Sequence, residues 1–180
     1  MDNEGQQAVE RTNLWAPWRI GYIVGVDKKD DGCFLCRHDR ETDRDAENLV
    51  LWRSAHCLAV LNRYPYNNGH LLVAPKRHIA ELVEADDAEL TDLIVQVRDV
   101  QACLSRAIRP QGFNVGINTG RCAGAGLPGH LHVHVVPRWN GDTNFMSVCG
   151  EVEVISQSMT ELLALLRQTA GELKLPTNRV

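Results

Sequence analysis

His130-Leu-His132-Val-His134-Val-Val-Pro137 is the run on which the fold turns. Its polar and apolar residues alternate with the period of a half-buried strand. That period sets the three imidazoles on one face at intervals of about 6.6 Å, with Leu131, Val133 and Val135 pointing the other way into a core. Upstream, the glycine-rich loop Gly120–Gly129 separates this strand from a second one over Phe113–Asn118. Before it the period changes. Leu90, Leu93, Ile94, Val97, Gln101, Leu104 and Ile108 recur at helical spacing, with Asp86 or Asp87 as cap and Pro110 and Gly112 as the stop. Further back, Asn48–Trp52 and His56–Leu61 form a hairpin across Arg53-Ser-Ala. Gly69–Pro75 follows the turn-forming Tyr64-Pro-Tyr-Asn-Asn stretch. Downstream, Ser158-Met-Thr-Glu161 is a capping box for a last helix carrying Met159, Leu162, Leu163, Leu166 and Leu173. Hairpins rather than regular strand–helix alternation predict an α+β fold, an antiparallel sheet with helices packed on it.

The 180 residues make one domain's worth of chain, and 44% hydrophobic with 23% charged residues is enough for a core. A net charge of −4 argues against a DNA or RNA polymer as partner. No apolar run approaches the roughly 20 residues of a membrane span. The polar, acidic start Met1–Asn13 does not read as a secretory signal, so the chain is expected in the cytoplasm, where cysteines stay reduced. The expected organisation is a disordered tail over 1–13, a single domain over 14–174 and a flexible end over 175–180. Trp15 and Trp18 are expected to dock on the body or on a partner subunit. Gly25–Glu47 reads as a loop apart from its cysteine pair, and Cys57, Cys103, Cys122 and Cys149 as small buried apolar residues.

One histidine on a strand is most simply a structural residue. Three in strict alternation after a glycine loop point to chemistry, either as nucleophile and phosphate donors or as metal ligands. Glycines that allow unusual dihedrals let Gly120–Gly129 aim backbone N–H groups at an anion. His70, on a neighbouring strand, adds a donor, which favours phosphate chemistry. Gly124-Ala-Gly126-Leu-Pro-Gly129 also matches the dinucleotide fingerprint formally, but a strand follows it where a helix is required.

The run His130–Val136 resembles the histidine triad motif, His-φ-His-φ-His-φ-φ, of the nucleotide hydrolases and transferases named for it. Asn62-Arg-Tyr-Pro-Tyr-Asn-Asn-Gly-His70 and Pro75-Lys-Arg-His78 are similar to that family's upstream segments. Trp15-Ala-Pro-Trp-Arg19, Gly112-Phe-Asn-Val-Gly116 and Pro137-Arg-Trp139 resemble its bacterial branch, which includes diadenosine tetraphosphate phosphorylases. The likeness runs over about Leu14 to Phe145. It implies about five antiparallel strands, one long central helix, a C-terminal helix and a homodimer joined through a continuous sheet. It also implies a nucleotide or dinucleoside polyphosphate substrate cleaved at the α-phosphate, by water or by phosphate. His132 would be the nucleophile, with His134 and His70 holding phosphoryl oxygens. Asn62 would meet the ribose, and Asn118 with Gly126 and Gly129 the phosphates. No organic cofactor is implied. Leu127-Pro-Gly129 departs from the Ser or Gln that relatives carry before the triad, which leaves a non-catalytic nucleotide-binding module as the alternative.

Cys33-Phe-Leu-Cys36 offers two thiolates from one turn, suited to tetrahedral zinc, with a redox pair or two buried thiols as the other readings. The resemblance completes the set with His78 and His130 rather than the nearby His38, giving one structural zinc per chain. Lys76, Arg77 and Arg138 are candidates to attract polyphosphate. Trp139 is a candidate for base stacking or an interface.

Overall fold

The computed structural model describes residues 32–142, 155 and 157–177. The 1–13 tail, Trp15, Trp18, Cys149 and residues 178–180 lie outside them. Five strands form one sheet: β1 (Val50–Arg53), β2 (Cys57–Leu61), β3 (Leu71–Pro75), β4 (Gly112–Ile117) and β5 (Val133–Arg138). Their order is β1-β2-β3-β5-β4 and all pairings are antiparallel. The long helix α2 (Asp87–Ile108) packs on β2, β3 and β5, and α3 (Met159–Leu173) packs on α2 and β1. The expected α+β sheet, long helix and terminal helix are all present.

Helix α2 starts on a reciprocal cap. Asp86 accepts from the Glu89 N–H and Glu89 accepts from the Asp86 N–H, a device worth about 1 kcal/mol. Its buried stripe is Leu93, Gln96, Val97, Val100, Cys103 and Leu104. Ile94, expected in that stripe, is 66% exposed. The apolar side chains of a helix do not identify its inner face when polar residues are buried as partners: Gln96 sits inside because its Oε1 accepts from Trp52 Nε1–H. In α3, Leu162, Leu163 and Leu166 are buried while Leu173 is 40% exposed. The chain beyond α3 turns back, with Leu175 against the core and the Thr177 N–H donating to Asp99.

Two expectations are corrected. The stretch read as loop contains α1 (Phe34–Arg40), seven residues whose Leu35 is fully buried. It is too short to show an amphipathic period and is held by packing rather than propensity. The strand expected from His130 begins only at Val133. Pairing of β3 with β5 runs from Leu71–Val135 to Val73–Val133, and the next steps would reach Pro75, which has no N–H to donate. The Leu131 N–H donates instead to the Ile79 carbonyl, and His130 and His132 leave the ladder. Leu131, Val133 and Val135 nevertheless stay buried as expected.

Candidate active site and metal centre

That break in the ladder divides the three histidines. His130 turns toward α1 and His132 toward His134, whose ring centroid is 5.0 Å away. The row of evenly spaced imidazoles expected on one face becomes two clusters.

Gly69 delivers His70 to the second cluster. Its φ of +80°, with Ile108, Pro137 and Leu104 crowding the place a Cβ would take, admits only glycine. His70 is fully buried. Its Nδ1 accepts from the Tyr66 N–H at 3.1 Å and from Asn62 Nδ2–H at 3.2 Å, so its proton sits on Nε2. That Nε2–H donates to His134 Nδ1 at 2.9 Å, which in turn places the His134 proton on Nε2. His134 Nε2 is buried and has no partner among the described residues. A buried donor left unmade costs about 1–3 kcal/mol, and this N–H is the donor that the His70–His134 pair presents. His132 Nδ1–H donates to its own neighbour, the His130 carbonyl, at 2.7 Å, leaving the Nε2 lone pair unprotonated.

Burial keeps all three rings neutral. It pushes His70 down to about 3, with the nearby His134 and His132 adding to the effect, and His134 down to about 4. His132 is lowered by burial too, against the opposing bond to the His130 carbonyl. The sign for stability follows from which state takes the proton first. Unfolded, His70 titrates near 6.5; folded, near 3. The unfolded chain therefore binds more protons across that window, and stability falls as the pH is lowered through it. The expected slope for this one group approaches about 1.4 kcal/mol per pH unit. Denaturant midpoints measured from pH 7 to 4 should fall less steeply in His70→Asn than in the native chain; parallel slopes would reject the assignment.

His134 opens on a shallow cleft of about 200 Å³, lined by Tyr66, Asn114, Val115, Gly116, Asn118 and Val136. Asn118 and His134 thus meet there. Tyr66 lies over His134 with the rings nearly parallel at 5.8 Å, a residue without a role in the sequence reading. Its signal was an aromatic in the turn leading to His70. Asn62 stands behind His70, its amide shared between that ring and the Tyr64 N–H. In the glycine loop, the amides of Ala123, Gly124 and Ala125 are spent on internal bonds, so these three do not form the expected anion nest. Gly126 and Gly129 take no positive φ.

The first cluster is Cys33, Cys36, His78 and His130, whose donor atoms all lie within 4.8 Å of one another. His130 Nε2–H donates to the Pro75 carbonyl at 2.8 Å, leaving Nδ1 bare at 3.0 Å from Cys33 Sγ and 3.4 Å from Cys36 Sγ. His78 Nδ1 is 3.3 Å from Cys36 Sγ. Two sulfurs and two imidazole nitrogens, that of His130 left bare by its bond to Pro75, suit a soft divalent ion of zinc's kind. Cys33 caps α1 and Cys36 follows one turn later, which is how the pair comes to share a side. His38 is not among these four.

The cationic candidates are committed elsewhere. Arg77 pairs with Glu89, holding that carboxyl down to about 2, and Lys76 Nζ donates to the Ser54 carbonyl. Arg138 forks onto Asp142 and also reaches Asn114. Trp139 Nε1–H donates to the Arg109 carbonyl. Cys57 and Cys103 are buried as expected, whereas Cys122, in the loop, is exposed.

A HIT domain matches residues 43–141. The chain belongs to the HIT domain family. Among its relatives, the AP-4-A phosphorylase of Mycobacterium tuberculosis is 40% identical over 158 residues, covering 85% of this chain and 81% of that protein. The asymmetrical bis(5'-nucleosyl)-tetraphosphatase of Schizosaccharomyces pombe is 38% identical over 93 residues, covering 52% of this chain and 50% of the relative. A crystal structure of a Zn-bound histidine triad family protein from Mycobacterium smegmatis superposes with a TM-score of 0.64 at 25% identity, over 79% of this HIT chain and 96% of that one. Among the described residues, no helix of this HIT protein is long and apolar enough to cross a membrane.

Proposed function

We propose that the chain cleaves dinucleoside polyphosphates, such as diadenosine tetraphosphate, at an α-phosphorus through a covalent nucleotidyl-histidine, within a single catalytic domain spanning 14–174. The observation that carries this reading is the paired tautomers: a bare His132 Nε2 beside an unpartnered, buried His134 Nε2–H. His132 Nε2 attacks the α-phosphorus, an N–P bond forms and the P–O bond to the polyphosphate breaks. As charge develops on the imidazole, the Nδ1–H bond to the His130 carbonyl becomes charge-assisted and strengthens. His134, its proton fixed by His70, donates to a non-bridging oxygen where the transition state gathers charge. Water or inorganic phosphate then attacks the same phosphorus and the N–P bond breaks. Asn118, Gly126 and Gly129 serve the phosphate chain and Asn62 the ribose. The relatives at 40% and 38% identity support this substrate class.

Zinc held by Cys33, Cys36, His78 and His130 would be structural, tying α1 to the loop after β3 and to the first triad histidine. The thiols suit a reducing compartment, the cytoplasm. The open edge of β4, with Val115 46% exposed, is the strand on which two copies would continue one sheet.

Incubation with diadenosine tetraphosphate separates the two acceptors. Hydrolysis yields AMP and ATP; phosphorolysis yields ADP and ATP. The 40% identical phosphorylase leads us to expect ADP once phosphate is supplied. Leu127, packed against the core, brings no polar side chain to the leaving group. Tight binding with no product under either condition would replace this reading with that of a non-catalytic nucleotide-binding module.

A further inference from the structure

Gly116 has no structural reason to be glycine. It sits inside β4, where glycine weakens a strand. It is not among the residues with positive φ, and nothing lies within 4 Å of the place a Cβ would occupy. Its cross-strand partner is His134, and opposite residues in an antiparallel pair project to the same face. A side chain at 116 would therefore stand in the cleft next to the His134 ring, between Asn114 on β4 and Asn118 just past its end.

The sheet order gives that empty place a direction. Asn62 follows β2, His70 precedes β3, His134 is on β5 and Gly116 on β4, the last strand. On the proposed reading, the attacked nucleotide has its ribose toward Asn62 and its α-phosphate at His134. The departing oxygen leaves in line with the attacking His132 Nε2, and the open ground beside His134 for the chain it carries is the part of the cleft over β4. We propose that Gly116 is a specificity-determining residue, its missing side chain keeping open the lane for the leaving end of a dinucleoside polyphosphate. This rests on the function proposed above and adds to it where the second half of the substrate lies.

The test uses the full-length protein with Gly116→Ala and Gly116→Val. A β-branched residue is at home in a strand, and a Cβ here meets open space, so both variants should fold with a melting temperature no lower than the native chain's. Gly116→Val should lose at least about tenfold in kcat/KM on diadenosine tetraphosphate, with Gly116→Ala between it and the native chain. AMP, which fills the nucleotide side and has no leaving end, should bind both variants within about twofold of the native affinity by calorimetry. An unchanged kcat/KM overturns the inference, and so does a parallel loss of AMP affinity. Sedimentation provides the remaining arm: a variant whose loss of activity accompanies dissociation of subunits would make Gly116 an interface residue and overturn it as well. Native protein that cleaves no dinucleotide defeats the proposed function itself, a result separable from all of these.

Discussion

Replacing His132 with alanine is expected to stop turnover of diadenosine tetraphosphate, with kcat falling at least about 10³-fold while AMP still binds. The size follows from what is removed. His132 Nε2 is the bare imidazole nitrogen beside His134: the Nδ1–H bond to the His130 carbonyl sets the tautomer, and burial, which lowers the pKa, keeps the ring neutral. His134 is the one imidazole among the described residues lining the cleft, and the His132 ring stands against it with centroids 5.0 Å apart. Losing a covalent nucleophile forces the two easier displacements back into one direct attack by water or phosphate. His134→Ala should cost less, because it removes one donor to the transition state and leaves the nucleophile intact. The order of the two effects is itself diagnostic: if both rings only bound phosphate, the two variants would lose similar amounts. Substrate labelled at the α-phosphorus, quenched in alkali where an N–P bond survives, should leave label on the native protein and none on His132→Ala. Product formation without label at that side chain would end the covalent mechanism.

Much of this site was legible because its information is local. Alternation from His130 to Val135 placed Leu131, Val133 and Val135 inward, and the change of period at Leu90 marked the long helix. The cysteine spacing announced a ligand pair, and the resemblance supplied His78 and His130 to complete it; the four donors do converge. What could not be read depends on partners far apart in the chain. A strand pattern at His130 does not say that the ladder will stop against Pro75, since only the register of β3 on β5 brings a residue without an N–H to that place. The same accident of register frees the Pro75 carbonyl to take the His130 proton and so decides which nitrogen faces the thiols. Arg138 and Arg77 looked available for polyphosphate because a sequence shows charge without its counterion. Asp142 and Glu89 occupy them. The direction of the His70–His134 proton chain is set by the Asn62 amide together with a backbone donor, the Tyr66 N–H, which every non-proline residue possesses and no composition reveals.

The second large effect is expected at the cluster of two cysteines and two histidines, and its reach extends to His132. His130 is held at three points: its Nδ1 faces Cys33 and Cys36, its Nε2–H is spent on the Pro75 carbonyl, and its own carbonyl receives the His132 proton. A divalent ion shared by Cys33, Cys36, His78 and His130 would therefore join α1 to the residue that orients His132, across 97 positions of sequence between Cys33 and His130. Protein purified without added metal should carry about one zinc per chain, and Cys33→Ser should carry little or none. An ion present at a thousandfold over its dissociation constant contributes about 4 kcal/mol to stability. For a chain of this size that corresponds to a melting temperature lower by about 10 °C in the variant, or in native protein treated with chelator. Cys122→Ser, at an exposed thiol outside the cluster, should change neither metal content nor melting temperature. Because the His130 carbonyl fixes the His132 proton, the metal-free protein should also lose kcat more than AMP affinity, which a purely distant stabilising ion would not produce. Native protein that contains no zinc and melts at the same temperature in chelator would show that four converging donors are held by packing alone.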